Sequence, residues 1–265
     1  MSEQAEVVGA LEEAKIINLF EWAGQTAYGR VFQDFDEEAG HDQAIVGSLG
    51  YKYLVNLLDR AGGCDKYALP EDTSPEAGLD LLRAGITDEA FDDMPRFAPG
   101  SIIRSNFNGS QGWASGNIRW LLQSYNFGEI DRISWSQKSE TKRRVAQRPY
   151  SEDPNALFAL TDLGLEEEDL VEDLDFNGKT LVLAHAFDRA TGGFEMYLGR
   201  SRETVSRRDT PWHWRRLVAS GGPGTAPLGT VDWVPSLPGT PASSDVADTP
   251  VRLRPLQDTQ TTEQN

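Results

Sequence analysis

Thr180-Leu181-Val182-Leu183-Ala184-His185-Ala186-Phe187, followed after Asp188-Arg189-Ala190-Thr191-Gly192-Gly193 by Phe194-Glu195-Met196-Tyr197-Leu198, decides how this chain folds. Two apolar, β-favouring runs flank a turn sequence of Asp, Thr and Gly, the pattern of a β-hairpin with a loop longer than the tightest kind. Trp212-His213-Trp214-Arg215-Arg216-Leu217-Val218 alternates as a third strand does. An isolated hairpin is only marginally stable in water, so a further strand or a covering helix is expected.

Upstream of the hairpin the period changes. From Glu6 to about Gly29, Val8, Leu11, Ile16, Leu19, Phe20 and Ala23 recur at helical spacing. Asp34 to Asp42 reads as a connector, and a second helix is expected from Asp42 to Arg60, stopped by Gly62-Gly63. A short helix is expected around Pro75–Ala84, a turn around Asp88–Pro99 and a short strand at Ser101–Arg104. Asn106 to Gly116 reads as a loop from its Asn, Gly and Ser content. Asn117 to Tyr125 has helical spacing through Ile118, Leu121, Leu122 and Tyr125, and Lys138 to Gln147 reads as a basic helix ended before Pro149. Beyond Gly221 the chain is dominated by Gly, Pro, Ser and Thr, a composition expected of a disordered tail, with Trp233-Val234 as a short anchor.

Charge is segregated along the chain. The whole sequence of 265 residues carries 42 acidic against 25 basic groups, a net of −17, yet residues 101–150 hold 8 basic and 3 acidic ones. Arg104, Arg119, Arg132, Lys138, Lys142, Arg143, Arg144 and Arg148 are interleaved there with Phe107, Trp113, Trp120, Tyr125, Phe127 and Trp135. Nucleic acid binding uses cations for phosphates and flat side chains on which unpaired bases stack. The candidate nucleic-acid-binding residues are therefore Arg119, Lys138, Lys142, Arg143, Arg144, Arg148, Trp113 and Trp135. The bland alternative puts the aromatics in the core and the arginines in water or against acidic groups. Glu152 to Asp175 is the counterweight, with ten acidic residues and no basic one, and Leu165, Leu170, Val171 and Leu174 give it a helical apolar stripe.

Other chemistries are poorly represented. One cysteine, Cys64, excludes an internal disulfide framework and a multi-cysteine metal site, and favours a cytoplasmic location. No apolar run approaches the roughly 20 residues that cross a bilayer, so no membrane partner is expected. There is no Gly-x-Ser-x-Gly elbow, and Gly221-Gly222-Pro223-Gly224 does not lead into a helix, so it fails as a phosphate loop. His41-Asp42 resembles the His-Asp pair of HD-type metal-dependent phosphohydrolases, but those sites also use upstream histidines and none precedes His41, so that family is rejected. A composite site of His41, Asp42, His185 and Asp188 remains open, against a reading in which Asp42 caps a helix and His185 is core. Asn155-Ala156-Leu157-Phe158 resembles the Leu-Phe peptides that bind sliding clamps but lacks their glutamine, and is read as chance.

The expected fold class is α+β: a helical region at 1–100, a basic mixed region at 101–150, an acidic linker and helix at 151–178, an antiparallel hairpin region at 179–220 and a tail at 221–265. The expected function is that of a non-enzymatic accessory protein, without cofactor or metal, contacting nucleic acid or a nucleic-acid-bound partner. The first alternative is a protein-binding adaptor using the acidic helix and the Trp212–Trp214 strand, and the second a metal-dependent hydrolase at His41 and Asp42.

Overall fold

The computed structural model describes residues 2–70, 74–150, 176–204 and 209–222. Asn155–Phe158, the acidic stretch between Glu152 and Asp175, and the Gly/Pro-rich tail with Trp233 lie outside the described residues. The fold is α+β. Helices α1 (Glu3–Glu13), α2 (Ile16–Asp34), α3 (Gln43–Gly62), α4 (Pro75–Arg83) and α5 (Asp88–Asp92) precede strands β1 (Ile103–Arg104), β2 (Gly112–Ser115) and β3 (Ile118–Ser124). Helix α6 (Glu140–Ala146) then leads toward β4 (Lys179–Asp188), β5 (Gly193–Ser201) and β6 (Trp212–Gly221). The described strands form one sheet in sequence order, with β3 and β4 parallel and every other pair antiparallel.

The hairpin at β4 and β5 and the third strand β6 stand where the sequence puts them. The long helix expected from Glu6 to Gly29 is instead two, because Lys15 takes a left-handed conformation at φ 59° between α1 and α2. Asp42 caps α3 by accepting from the Ile45 amide at 3.0 Å, and Gly63 ends it at φ 62°. That positive φ suits glycine, which lacks the Cβ that collides there.

Two expectations are overturned in the middle of the chain. The supposed loop at Asn106–Gly116 contains β2, and the supposed helix at Asn117–Tyr125 is β3. Trp113, Trp120 and Leu122 join the core on the helical side of the sheet, whereas Arg119 and Gln123 point to the other side. A strand buried on both faces is apolar throughout and loses the alternation that would identify it. A stretch of seven residues is also ambiguous between the two periods.

Helices α1 to α3 lie on one face of the sheet, and one core joins Leu11, Leu19, Phe20, Leu54 and Leu58 to Trp120, Leu183, Met196 and Trp214. The N-terminal helices and the C-terminal strands therefore share a core. On the opposite face Ile130, Ile133, Trp135 and Ala146 pack on Val182, Ala184 and Trp212. Parallel pairing of β3 with β4 forces a long crossover between them, and the described part of that crossover, including α6, supplies this second layer. Six of the eight basic residues of 101–150, Arg132, Lys138, Lys142, Arg143, Arg144 and Arg148, thus lie in the crossover, while Arg104 and Arg119 stand on β1 and β3.

Candidate functional site

The eight residues singled out for nucleic acid divide between interior and surface. Trp113 is fully buried under the Arg104 guanidinium, 4.4 Å from its ring centroid, and donates from Nε1 to Asp59 Oδ1 at 2.9 Å. Trp135 is also fully buried, edge-on to Trp212 at 5.2 Å, and donates to the Pro211 carbonyl at 2.7 Å. Neither indole presents a face on which a base can stack, so both are corrected from stacking platforms to core. The adaptor alternative loses its strand for the same reason, since Trp212 and Trp214 are buried.

Helix α6 separates the lysine–arginine cluster by its period. Ser139 caps it, accepting from the Lys142 amide, and Thr141, Lys142, Val145 and Ala146 turn inward while Arg143 and Arg144 face solvent. Lys142 Nζ donates to the Leu122 carbonyl at 2.5 Å and to Gln123 Oε1 at 3.3 Å. Burial, reinforced by the Lys138 charge, pushes its ammonium down to about 8. It holds the sheet and offers no phosphate contact. Arg144 pairs with Glu140 at 2.6 Å, one turn earlier, and Lys138 is half-buried.

Arg119 and Arg148 meet at a third place. Arg119, 1% exposed, lies opposite Thr180 in the β3–β4 register and reaches the Thr180 hydroxyl oxygen from Nε at 3.1 Å and Nη2 at 2.8 Å. Arg148 Nη1 reaches the same oxygen at 2.9 Å. The Arg119 guanidinium sits 4.6 Å from the ring centroids of both Phe107 and Phe176, and Arg148 lies 5.2 Å from Phe107.

The histidines do not assemble. His41 Nδ1 accepts from the Asp36 amide at 3.0 Å in the connector, while Asp42 serves α3 as its cap. His185 is 1% exposed in the core, its Nδ1 2.5 Å from the Tyr28 hydroxyl. Asp188 accepts from Thr191 and Ala190 in the hairpin turn. Among the described residues no three His, Cys, Asp or Glu side chains group as a metal site. Cys64 is buried and its thiol is pushed up to about 11, chiefly by burial, which removes the thiolate a nucleophile requires.

A feature the sequence reading passed over is the outer face of α2. A cleft of about 1100 Å³ runs along it, walled on the far side by residues 85–96. Trp22 Nε1 bonds the Ala90 carbonyl at 2.8 Å and Arg30 Nη1 the Gly85 carbonyl at 2.5 Å, which fixes the two walls together. Asn18, Gln25, Thr26 and Gln33 line its α2 side, and charges of both signs border it. The Tyr53 hydroxyl, donating to Asp34 Oδ2 at 2.7 Å, holds that bordering carboxyl below its ordinary range, with Arg30 assisting. Gln25, Gly29 and Gln33 are shared with a second hollow of about 380 Å³, bounded by Tyr28, Phe32, Phe194 and the end of β6. Phe32 is 45% exposed there. The signal was present in the sequence: Asn18, Gln25 and Gln33 are spaced by two helical turns, so they share one face.

No family model, curated protein or solved structure matches this chain. Among the described residues no helix is long and apolar enough to cross a membrane.

Proposed function

We propose that this protein works by binding a partner polypeptide along the outer face of α2. The observation that carries the reading is an amide-lined cleft of about 1100 Å³ that shares Gln25, Gly29 and Gln33 of its wall with an aromatic hollow of about 380 Å³. An extended peptide presents alternating amide donors and acceptors with apolar side chains at intervals. A cleft lined by Asn18, Gln25 and Gln33, beside a hollow lined by Tyr28, Phe32 and Phe194, offers partners for both. The protein's charge of −17 repels a polyanion at long range, which favours a protein over a nucleic acid.

The nucleic-acid reading stands second, supported by the two outward arginines of α6, Arg143 and Arg144. A displayed library of random peptides, selected on the full chain and followed by calorimetric titration of the enriched sequences, separates the two. Peptides should weaken at least about tenfold on Phe32→Ser and a few-fold on Gln25→Ala, and should ignore Arg143→Glu/Arg144→Glu. Equal binding to Phe32→Ser and wild type would reject the cleft. Salt-sensitive binding of labelled DNA or RNA that disappears in the Arg143→Glu/Arg144→Glu variant would put the second reading first.

A further inference from the structure

The row of residues that the cleft and the hollow share on α2 has a gap in it. Gln25, Gly29 and Gln33 recur every four residues, so they stand in line along the helix, and each borders both cavities. Gln25 and Gln33 raise exposed side chains, whereas Gly29 between them raises none. Packing accounts for Gly24 in the same helix, where a Cβ would come within 2.7 Å of Met196 Sδ and 2.8 Å of the Phe194 ring. At Gly29 no atom of another element lies within 4 Å of the Cβ position among the described residues. The fold leaves that space open, and helix propensity works against glycine there.

Charge is unevenly committed along the cleft. Arg30 pairs with Asp34 at 3.3 Å and donates to the Gly85 carbonyl at 2.5 Å. Arg96 donates to the Phe91 carbonyl at 3.1 Å, with its guanidinium over that ring, and Lys15 stands at the α1–α2 junction. Residues 88–93 of the far wall hold Asp88, Glu89, Asp92 and Asp93, all exposed, and no basic group. Glu89 and Asp93 line the cleft, and among the described residues their carboxylates make no hydrogen bond or ion pair. Asp93 ends α5 in a right-handed conformation, so the two carboxylates sit one helical turn apart, about 6 Å along the axis. Alternate side chains of an extended polypeptide point the same way at roughly 6.7 Å spacing, so cations two residues apart match this pair.

We infer that the occupant of the α2 cleft is a basic, extended polypeptide segment that crosses the helix at Gly29, seats an apolar side chain in the hollow against Phe32, and lays a Lys/Arg-x-Lys/Arg pair along Glu89 and Asp93. The inference rests on the peptide-binding reading of the cleft and names the chemistry of its partner. Glycine admits the close approach of another backbone, and the amides of Gln25 and Gln33 stand on either side of the crossing to bond its peptide groups. Opposite charge along the far wall then sets the direction and specificity of docking.

The test uses the full chain and pools of peptides of about nine residues, which extend to roughly 30 Å. Each pool is randomised except for a Lys-x-Lys, Glu-x-Glu or Ser-x-Ser pair moved through the positions, and binding is read by fluorescence anisotropy at low and physiological salt. At its best position the Lys-x-Lys pool should bind at least about tenfold tighter than the Glu-x-Glu pool, and salt should narrow the difference. Glu89→Gln/Asp93→Asn should level the pools, while Asp65→Asn/Asp80→Asn, equal in charge and outside the cleft lining, should not. Gly29→Gln should weaken the Lys-x-Lys pool at least about tenfold. Gly9→Gln and Gly47→Gln, equally open positions on α1 and α3, should leave it within about twofold. Glutamine favours helix over glycine at each of these positions, so lost folding does not explain a loss of binding confined to Gly29. Thermal melting checks this, and Gly29→Ala repeats the test with a single methyl group. Binding that Phe32→Ser weakens but that shows no preference for Lys-x-Lys, or that Gly29→Gln leaves unchanged, overturns this inference and leaves the cleft reading standing. Absence of binding by every pool, or binding that Phe32→Ser leaves unchanged, removes the reading and the inference with it.

Discussion

Acid should loosen this fold through one imidazole. His185 is 1% exposed beneath α2 and α3, bonded by Nδ1 to Tyr28, with the Tyr51 ring 6.2 Å away and Nε2 without a hydrogen-bond partner among the described residues. Burial, with the Lys142 charge across the sheet adding to it, pushes the imidazole down to about 3 from an ordinary 6.5. A group whose folded value is depressed contributes its full stability above the unfolded value and loses it as pH falls toward the folded one. Between about pH 7.5 and about pH 4.5 the unfolded chain takes up a proton that the fold refuses, which costs roughly 2.5 kcal/mol. The perturbation is His185→Gln, which removes the titration while leaving an oxygen to accept from Tyr28. Urea unfolding followed by the fluorescence of the buried indoles gives stability across that range for both proteins. Carboxylates common to the two cancel in the difference. The advantage of wild type over the variant should shrink by roughly 2.5 kcal/mol on acidification, whatever the variant's stability at neutral pH. Parallel curves would refute the reasoning, because they would mean that His185 protonates inside the fold without penalty.

Two further outcomes follow from buried charges. Lys142 behaves as His185 does but in alkali: its folded value of about 8 lies below the ordinary 10.5, so its contribution is complete only above 10.5 and fades as pH falls through 8. Relative to Lys142→Met, wild type should gain roughly 2 kcal/mol between about pH 8 and about pH 10, measured by the same unfolding curves; no gain would place the ammonium in water. Asp59, 4% exposed, receives Arg104 at 2.5 and 2.6 Å and the Trp113 indole at 2.9 Å, tying α3 to β1 and β2. Asp59→Ala strands a largely desolvated guanidinium and an indole N–H, and should cost about 3 kcal/mol in denaturant unfolding. A loss below about 1 kcal/mol would show the cluster to be ordinary surface.

Much of the fold was legible because it follows from local rules. The Thr180–Phe187 and Phe194–Leu198 runs, the Asp42 cap and the Gly63 stop each act within a few residues, where side-chain type and backbone preference suffice. The strand at Ile118–Ser124 was not legible, because its identity comes from parallel pairing with Lys179–His185, some sixty positions on. The same limit governs the candidate sites. Composition placed Arg119, Lys142, Arg143 and Arg144 in one basic window, but only the crossover over the sheet turned Lys142 inward and left Arg143 and Arg144 outside, and only the parallel pairing of β3 with β4 set Arg119 against Thr180. Likewise Asn18, Gln25 and Gln33 share a helix face by spacing alone, yet they line a cleft only because Trp22 and Arg30 bond a segment that begins fifty residues later. Sequence therefore determines which elements form and what each face carries. Tertiary structure decides which charges leave water, because desolvation depends on everything packed around a group and not on its neighbours in the chain.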